Sequence, residues 1–121
     1  MVYVGIDVAK DKHDCFIANS DGEVLYDVFT IQNNMDGFED LFFKIKTASM
    51  DLSKVKVGLE ATGHYSCNIL GFLHNKGLPT IVINPLHTNA YRKSLSLRKT
   101  KTDKADARAI ASMIMSDVSL K

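Results

Sequence analysis

The sequence predicts an α/β fold built on a mixed five-stranded sheet, with three antiparallel strands, then two parallel strands, and flanking helices. Two observations indicate this fold. Three apolar, β-branched segments follow one another through short links at the start of the chain, which is typical of an antiparallel meander. Helical and strand patterns then alternate, which favours parallel strands joined by right-handed crossovers.

The first half of the chain contains three predicted strands and one helix. The strands cover 2–9, 14–19 and 24–31, and Ser20-Asp21-Gly22 predicts a hairpin turn between the second and third. Asn33 or Asn34 can cap the helix that follows. Its core stripe is predicted from apolar residues at helical spacing: Phe38, Leu41, Phe42 and Ile45.

The second half continues with a strand at 55–60, a helix at 63–77 and a strand at 79–84. The stripe of that helix is predicted as Tyr65, Ile69, Phe72 and Leu73, and Gly77 is placed to end it. Residues 86–101 indicate a short helix or an ordered loop. A last helix begins near Thr102, with its apolar stripe at Ile110, Met113 and Ile114.

Composition limits the classes to which the protein can belong. The chain has 121 residues, 45% of them hydrophobic and 24% charged, which suits one soluble globular domain. Its apolar runs are too short to span a bilayer, its start does not resemble a signal peptide, and its two cysteines favour a reducing, cytoplasmic setting. Residues 1–90 carry a net charge of −4 and residues 91–121 of +5, which suggests contact with a polyanion near the C-terminal third.

Four carboxylates occupy positions at which not all of them are expected to be simple solvent-exposed residues. Asp7 lies near the end of an apolar strand, and Glu60 ends another. At about 100° per residue, Asp103 and Asp106 share the helix face of the predicted apolar stripe. Taken singly, Asp7 and Glu60 could be strand-end acids and Asp103 a helix-capping acid, but Asp106 is harder to explain in that way.

If the first and fourth strands are parallel neighbours, their C-terminal ends lie side by side, and Asp7 and Glu60 converge at one edge of the sheet. Convergence of the four acids predicts a metal site. Repelling carboxylates are stabilised by a divalent cation, and hard oxygen ligands suit Mg²⁺, with Mn²⁺ as a substitute. Two such ions can stabilise the attacking and leaving oxygens of a phosphoryl transfer. Cations near the acids would then hold nucleic-acid phosphates: Arg92, Lys93, Arg98, Lys99, Lys101 and Lys104.

Four segments carry a specific family resemblance: YVGIDVAKDKHD, GLEATGHY, NPLHTNAYRKS and KTDKADARAIA. In order and spacing they resemble the N-terminal domain of DEDD transposases of the IS110 type, to which pilin-gene invertases are related. The resemblance covers essentially residues 1–121. It implies a RuvC-like, RNase H-like fold in which the family's four acids correspond to Asp7, Glu60, Asp103 and Asp106 and bind Mg²⁺.

The resemblance also implies a function and its partners. Members are prokaryotic DNA transposases or recombinases that act as homo-oligomers, and some are guided by a structured RNA. Full-length members add a C-terminal domain whose serine attacks the DNA phosphate. We therefore expect residues 1–121 to be the metal-binding domain alone, cytoplasmic and acting on DNA, and unable to complete transposition without that second domain.

Three alternatives stay open at this stage. The chain could be a stand-alone RuvC-like nuclease in which metal ions activate water, or a nucleic-acid-binding fragment without chemistry. A sugar-kinase or actin-like ATPase lobe would share the strand order. However, such folds place glycines after the first-strand acid, whereas Val8, Ala9 and Lys10 follow Asp7 here.

Overall fold

A computed structural model describes residues 1–60, 65–84 and 103–116, and within the last range the side chains of residues 107–115. Five strands lie in these ranges: β1 (Val2–Val8), β2 (Lys12–Asn19), β3 (Val24–Gln32), β4 (Val55–Glu60) and β5 (Thr80–Ile83). The helices of the same ranges are α1 (Met35–Ala48), α2 (Cys67–Asn75) and α3 (Asp103–Ser116), with a 3-10 turn at Leu52–Lys54. In this part of the chain no helix is long and apolar enough to cross a membrane.

The strands form one sheet in the order β3-β2-β1-β4-β5. Neighbouring strands are antiparallel from β3 to β1, and parallel from β1 to β5. This arrangement confirms the predicted mixed sheet. It places β1 at the centre, with an antiparallel neighbour on one side and a parallel neighbour on the other.

The two faces of the sheet carry different helices. On one face, alternate residues of β1 such as Val4 and Ile6 pack with Leu41 of α1 and Leu73 of α2 in the larger core cluster. On the other face, α3 packs through alanine, isoleucine and methionine side chains that form two smaller clusters with the sheet. Because strand side chains alternate, every second residue of β1 faces α3.

Local chemistry explains where the first two helices begin and end. The Asn34 side chain caps α1 by accepting a hydrogen bond from the Gly37 N–H at 2.9 Å. After α2, Gly77 has a φ of +74°, and the Leu78 N–H donates to the Leu73 carbonyl at 3.1 Å, which is a Schellman-type ending. Both features agree with the sequence prediction.

The predicted core role of Tyr65 is wrong. Tyr65 is 37% exposed and lies in a turn, because α2 begins at Cys67 and so leaves Tyr65 outside the helical face. Ile69, Phe72 and Leu73 are buried as predicted. Residues 63 and 64, where that helix was predicted to start, and the predicted element at 86–101 lie outside the described residues.

Candidate active site

The ends of the two central parallel strands place two of the predicted acids side by side. β1 and β4 are paired in register from Val2 with Val55 to Ile6 with Leu59. The next position along the two strands is Asp7 on β1 and Glu60 on β4. Since paired strands lie about 4.8 Å apart, the two carboxylates start from neighbouring backbone positions. Both residues are half-buried.

Asp7 and Glu60 lie on the sheet face that α3 covers. Tyr3, two strand repeats before Asp7, packs against the cluster of Ile110, Met113 and Ile114. Gly58, one repeat before Glu60, lies beneath Ile110 and Ile114. Alternation of side chains therefore directs both acids towards the side of the sheet on which α3 packs.

A pair of glycines lets α3 approach this face closely. Gly5 and Gly58 are register partners on β1 and β4. A Cβ added to Gly5 would overlap the Ala107 carbonyl oxygen and lie 2.6 Å from the Ala111 nitrogen. A Cβ added to Gly58 would lie 2.7 Å from a methyl carbon of Ile114. The backbone of α3 therefore rests directly on β1 at Gly5, and the Ile114 side chain rests on β4 at Gly58, in each case one repeat away from the acid.

The other predicted acids are at the beginning of α3. The helix starts at Asp103, and Asp106 belongs to its first turn, as does Lys104. The side chains of these three residues lie outside the part of the helix whose side chains the structure describes. Five more predicted phosphate-binding residues fall wholly outside the described residues: Arg92, Lys93, Arg98, Lys99 and Lys101.

A further carboxylate stands on the same face. Asp14 of β2 is the register partner of Asp7, and its Oδ1 accepts a hydrogen bond from the Thr30 hydroxyl of β3 at 2.7 Å. The negative field of this region acts on the neighbouring thiol of Cys15. Burial raises the pKa of Cys15 well above its usual range, and the charges of Asp14, Asp40 and Asp7 raise it further, against the opposing charge of Lys44.

The donor set fits a hard divalent cation. Asp7 and Glu60 offer carboxylate oxygens, which are the ligands that Mg²⁺ and Mn²⁺ prefer. Among the side chains that the structure describes, no three His, Cys, Asp or Glu residues are grouped closely enough to hold an ion. Asp7 and Glu60 therefore need at least one more ligand, from the undescribed side chains, water or substrate.

Sequence reasoning missed three residues of this region: Gly5, Gly58 and Asp14. A signal for the glycines was present, because Gly5-Ile6-Asp7 and Gly58-Leu59-Glu60 repeat one pattern of glycine, aliphatic residue and acid. That pattern puts each glycine on the same strand face as its acid. Asp14 gave no comparable signal, since its relation to Asp7 depends on the register of the β1–β2 pair.

Comparison with known proteins identifies relatives over nearly the whole chain. The model of the IS110-type DEDD transposase family, described as a transposase, matches residues 4–121. The pilin gene-inverting protein of Moraxella bovis is 37% identical over 110 residues, which are 90% of this chain and 33% of that protein. The Moraxella lacunata protein of the same name is 36% identical over the same shares. The chain thus spans about a third of the length of these curated relatives.

Solved structures with the same fold include a RuvC protein and a Holliday junction resolvase. Thermus thermophilus RuvC, determined with a Holliday junction substrate, has a TM-score of 0.58 at 14% identity, over 92% of this chain and 90% of that one. The fowlpox virus Holliday junction resolvase has a TM-score of 0.56 at 14% identity, over 95% and 97%. At such identities the likeness shows the fold, which is the RuvC-like, RNase H-like fold that the resemblance implied.

Proposed function

Since the chain belongs to the IS110-type family of DEDD transposases, we propose that it is the metal-binding catalytic domain of a DNA transposase or recombinase. In this proposal Asp7, Glu60, Asp103 and Asp106 would hold Mg²⁺, which when bound would supply neutralisation of the charge that develops in phosphoryl transfer on DNA. One observation carries the proposal. Asp7 and Glu60 occupy equivalent positions on neighbouring strands and share the sheet face that is covered by the helix beginning at Asp103.

The direction of α3 supports the inclusion of Asp103 and Asp106. Ala107 touches Gly5, whereas Ile110, Met113 and Ile114 form the cluster that packs against Tyr3. The helix therefore runs antiparallel to β1, and its start points towards the Asp7 end of the strand. Four helical residues span about 6 Å and two strand residues about 6.6 Å. Asp103 is thus expected at the level of Asp7.

The buried positions of α3 support the same assignment. Ala107 and Ile110 are fully buried against the sheet. Asp103 precedes Ala107 by four residues, and Asp106 precedes Ile110 by four, so helical spacing predicts both acids on the same side of the helix as those two residues. Carboxylates on a sheet-facing side are costly unless they are paired or bound to a cation. A shared metal ion would satisfy that need.

The proposed substrate is DNA, which the basic residues would hold through its phosphates. These residues are Arg92, Lys93, Arg98, Lys99, Lys101 and Lys104, next to the proposed acids in sequence. Because the chain spans a third of its curated relatives, we propose that strand transfer also needs the remaining part of a full-length protein. A homo-oligomer and a structured guide RNA are proposed partners of that full-length protein on family grounds alone.

Manganese binding tests the metal site directly. The 121-residue chain is titrated with Mn²⁺, and free ion is followed by electron paramagnetic resonance. We expect Asp7→Asn to weaken Mn²⁺ binding by at least tenfold, with an unchanged circular dichroism spectrum. Asp21→Asn is the matched control, because it removes the same charge from the exposed β2–β3 turn. Equal Mn²⁺ affinity of Asp7→Asn and the parent chain would remove the proposed site.

A stand-alone junction nuclease is a second candidate. RuvC and the fowlpox virus resolvase align over 90% and 97% of their own chains, so in those proteins this fold makes up nearly the whole chain. Incubation of the chain with branched DNA and Mn²⁺ separates the candidates. Cleavage that is lost in Asp7→Asn would favour the nuclease, whereas the transposase domain is expected to leave the junction intact when alone.

A further inference from the structure

Asp14 occupies the position directly across from Asp7. In the antiparallel β1–β2 pair, Asp7 is the register partner of Asp14, between the pairs Ile6–Cys15 and Val8–His13. Phe16 and Ala18 follow Asp14 at alternate positions of β2 and pack against Ala107 and Ala111. Asp14 is half-buried and shares the α3 face with Asp7 and Glu60.

The neighbouring strand holds the Asp14 carboxylate in place. The Thr30 hydroxyl donates to Oδ1 at 2.7 Å, across the register pair of Asp14 with Thr30. This bond uses one carboxylate oxygen, so Oδ2 can accept from a further donor. The side chain is thus oriented by a residue that faces solvent, rather than by the core.

Two carboxylates in direct cross-strand register need an explanation. Directly opposite residues in an antiparallel pair have Cβ atoms about 4.5–5.5 Å apart, and like charges at such positions are destabilising. A pair such as Asp7 with Asp14 is therefore expected to weaken the sheet by itself. A cation next to Asp7 would reverse the sign of that interaction.

Strand spacing decides how Asp14 can serve such a cation. β2 and β4 flank β1, so their backbones lie about 9.6 Å apart. Magnesium–oxygen bonds are only about 2.1 Å long, and Mg²⁺ usually keeps several waters. The short Asp14 side chain is therefore poorly placed to bind an ion that Asp7 and Glu60 share. A water on that ion would close the gap.

We propose that Asp14 is a positioning residue of the metal site, which accepts a hydrogen bond from a water of the hydrated ion at Asp7 and Glu60. Thr30 fixes the orientation of Asp14. This inference rests on the proposed function, because it needs an ion at Asp7. Outer partners of this kind typically change metal affinity by about 10–100-fold when removed.

The test compares metal affinity with metal-free stability in the same 121-residue chain. For Asp14→Asn we expect Mn²⁺ to bind about tenfold or more weakly, with a smaller rise in melting temperature on adding Mn²⁺. In EDTA the variant should melt at or above the parent temperature, because the repulsion from Asp7 is gone. A purely structural Asp14 would give the opposite pattern: lower stability in EDTA and unchanged Mn²⁺ affinity.

Two further variants keep the outcome decisive. Thr30→Val should weaken Mn²⁺ binding in the same direction, and Thr30→Ser, which keeps the hydroxyl, should restore it. Unchanged Mn²⁺ affinity in both Asp14→Asn and Thr30→Val overturns the inference. If Asp7→Asn weakens Mn²⁺ binding in that same experiment, the proposed function stands although the inference about Asp14 fails. If Asp7→Asn also has no effect, both fall together.

Discussion

Gly5 and Gly58 lie side by side on the two central strands; the backbone of α3 rests on Gly5, and the Ile114 side chain of α3 rests on Gly58. Neither glycine needs its conformational freedom, since neither has a positive φ. Their role is to leave out a side chain. The absence of two Cβ atoms lets the helix that begins at Asp103 approach the sheet one repeat away from Asp7 and Glu60.

Gly5→Ala is therefore expected to destabilise the fold strongly. The new Cβ would overlap the Ala107 carbonyl and crowd the Ala111 nitrogen, which are backbone atoms and cannot turn aside. Overpacking typically costs about 1–3 kcal/mol, and this contact belongs at or above the upper end. Urea denaturation monitored by circular dichroism measures the loss.

Two other glycines provide the comparison. Gly58→Ala meets the end of the Ile114 side chain, which can move, so its cost should be smaller than that of Gly5→Ala. Gly71→Ala, in α2 with no atom within 4 Å of the new Cβ, should stabilise the chain by about 0.5–1 kcal/mol. Similar effects at Gly5 and Gly71 would show that α3 does not press on the sheet.

Much of the sheet could be predicted because strand patterns are local. Alternating apolar residues fixed the faces of β1 and β4, and β4 was predicted with its observed bounds, Val55–Glu60. Helix starts are less local. Tyr65 continues the helical spacing of α2 in sequence, but the helix begins at Cys67. Periodicity alone cannot show at which residue the backbone becomes helical.

In the candidate site, too, local patterns could be predicted from the sequence, whereas contacts between distant segments could not. The face of Asp7 followed from alternation, and its nearness to Glu60 from the parallel pairing of β1 with β4, whereas its position opposite Asp14 depends on the register of the β1–β2 pair. Register is set by turns and by packing across the sheet, neither of which appears as a sequence period. The close packing of α3 on Gly5 joins residues about one hundred positions apart in sequence. The role of the Gly–aliphatic–acid pattern is therefore visible only in the folded structure.

His13 predicts a loss of stability in mild acid. It is fully buried, and its Nδ1 accepts a hydrogen bond from the Ala9 N–H at 3.2 Å, which requires the neutral ring. Burial lowers the pKa of His13 below its ordinary value, against smaller opposing effects from Asn33, the Lys12 backbone and Asp14. Below pH 6.5 the unfolded chain therefore binds a proton that the folded chain resists, and the free energy of unfolding falls as pH drops.

The measurement is urea denaturation between pH 8 and pH 5. The parent chain should lose stability over this range, and His13→Gln, although less stable at pH 8, should lose less of it on acidification. His74→Gln removes an exposed histidine and should keep the parent's pH dependence. Parallel pH profiles for the parent and His13→Gln would show that His13 is not responsible.

Neutralising Lys99 and Lys101 is predicted to reduce the salt dependence of DNA binding. Both residues lie outside the described structure, so this prediction rests on the charge of +5 over residues 91–121. Each lost phosphate contact lowers the slope of log affinity against log salt by about 0.9 for duplex DNA. The double variant Lys99→Gln/Lys101→Gln should therefore bind more weakly and show a slope reduced by about 2 in fluorescence anisotropy.

The control pair Lys12→Gln/Lys54→Gln removes the same charge from exposed sites at the start of β2 and in the 3-10 turn, and should change the slope little. If both pairs lower it equally, net charge rather than a local contact governs binding.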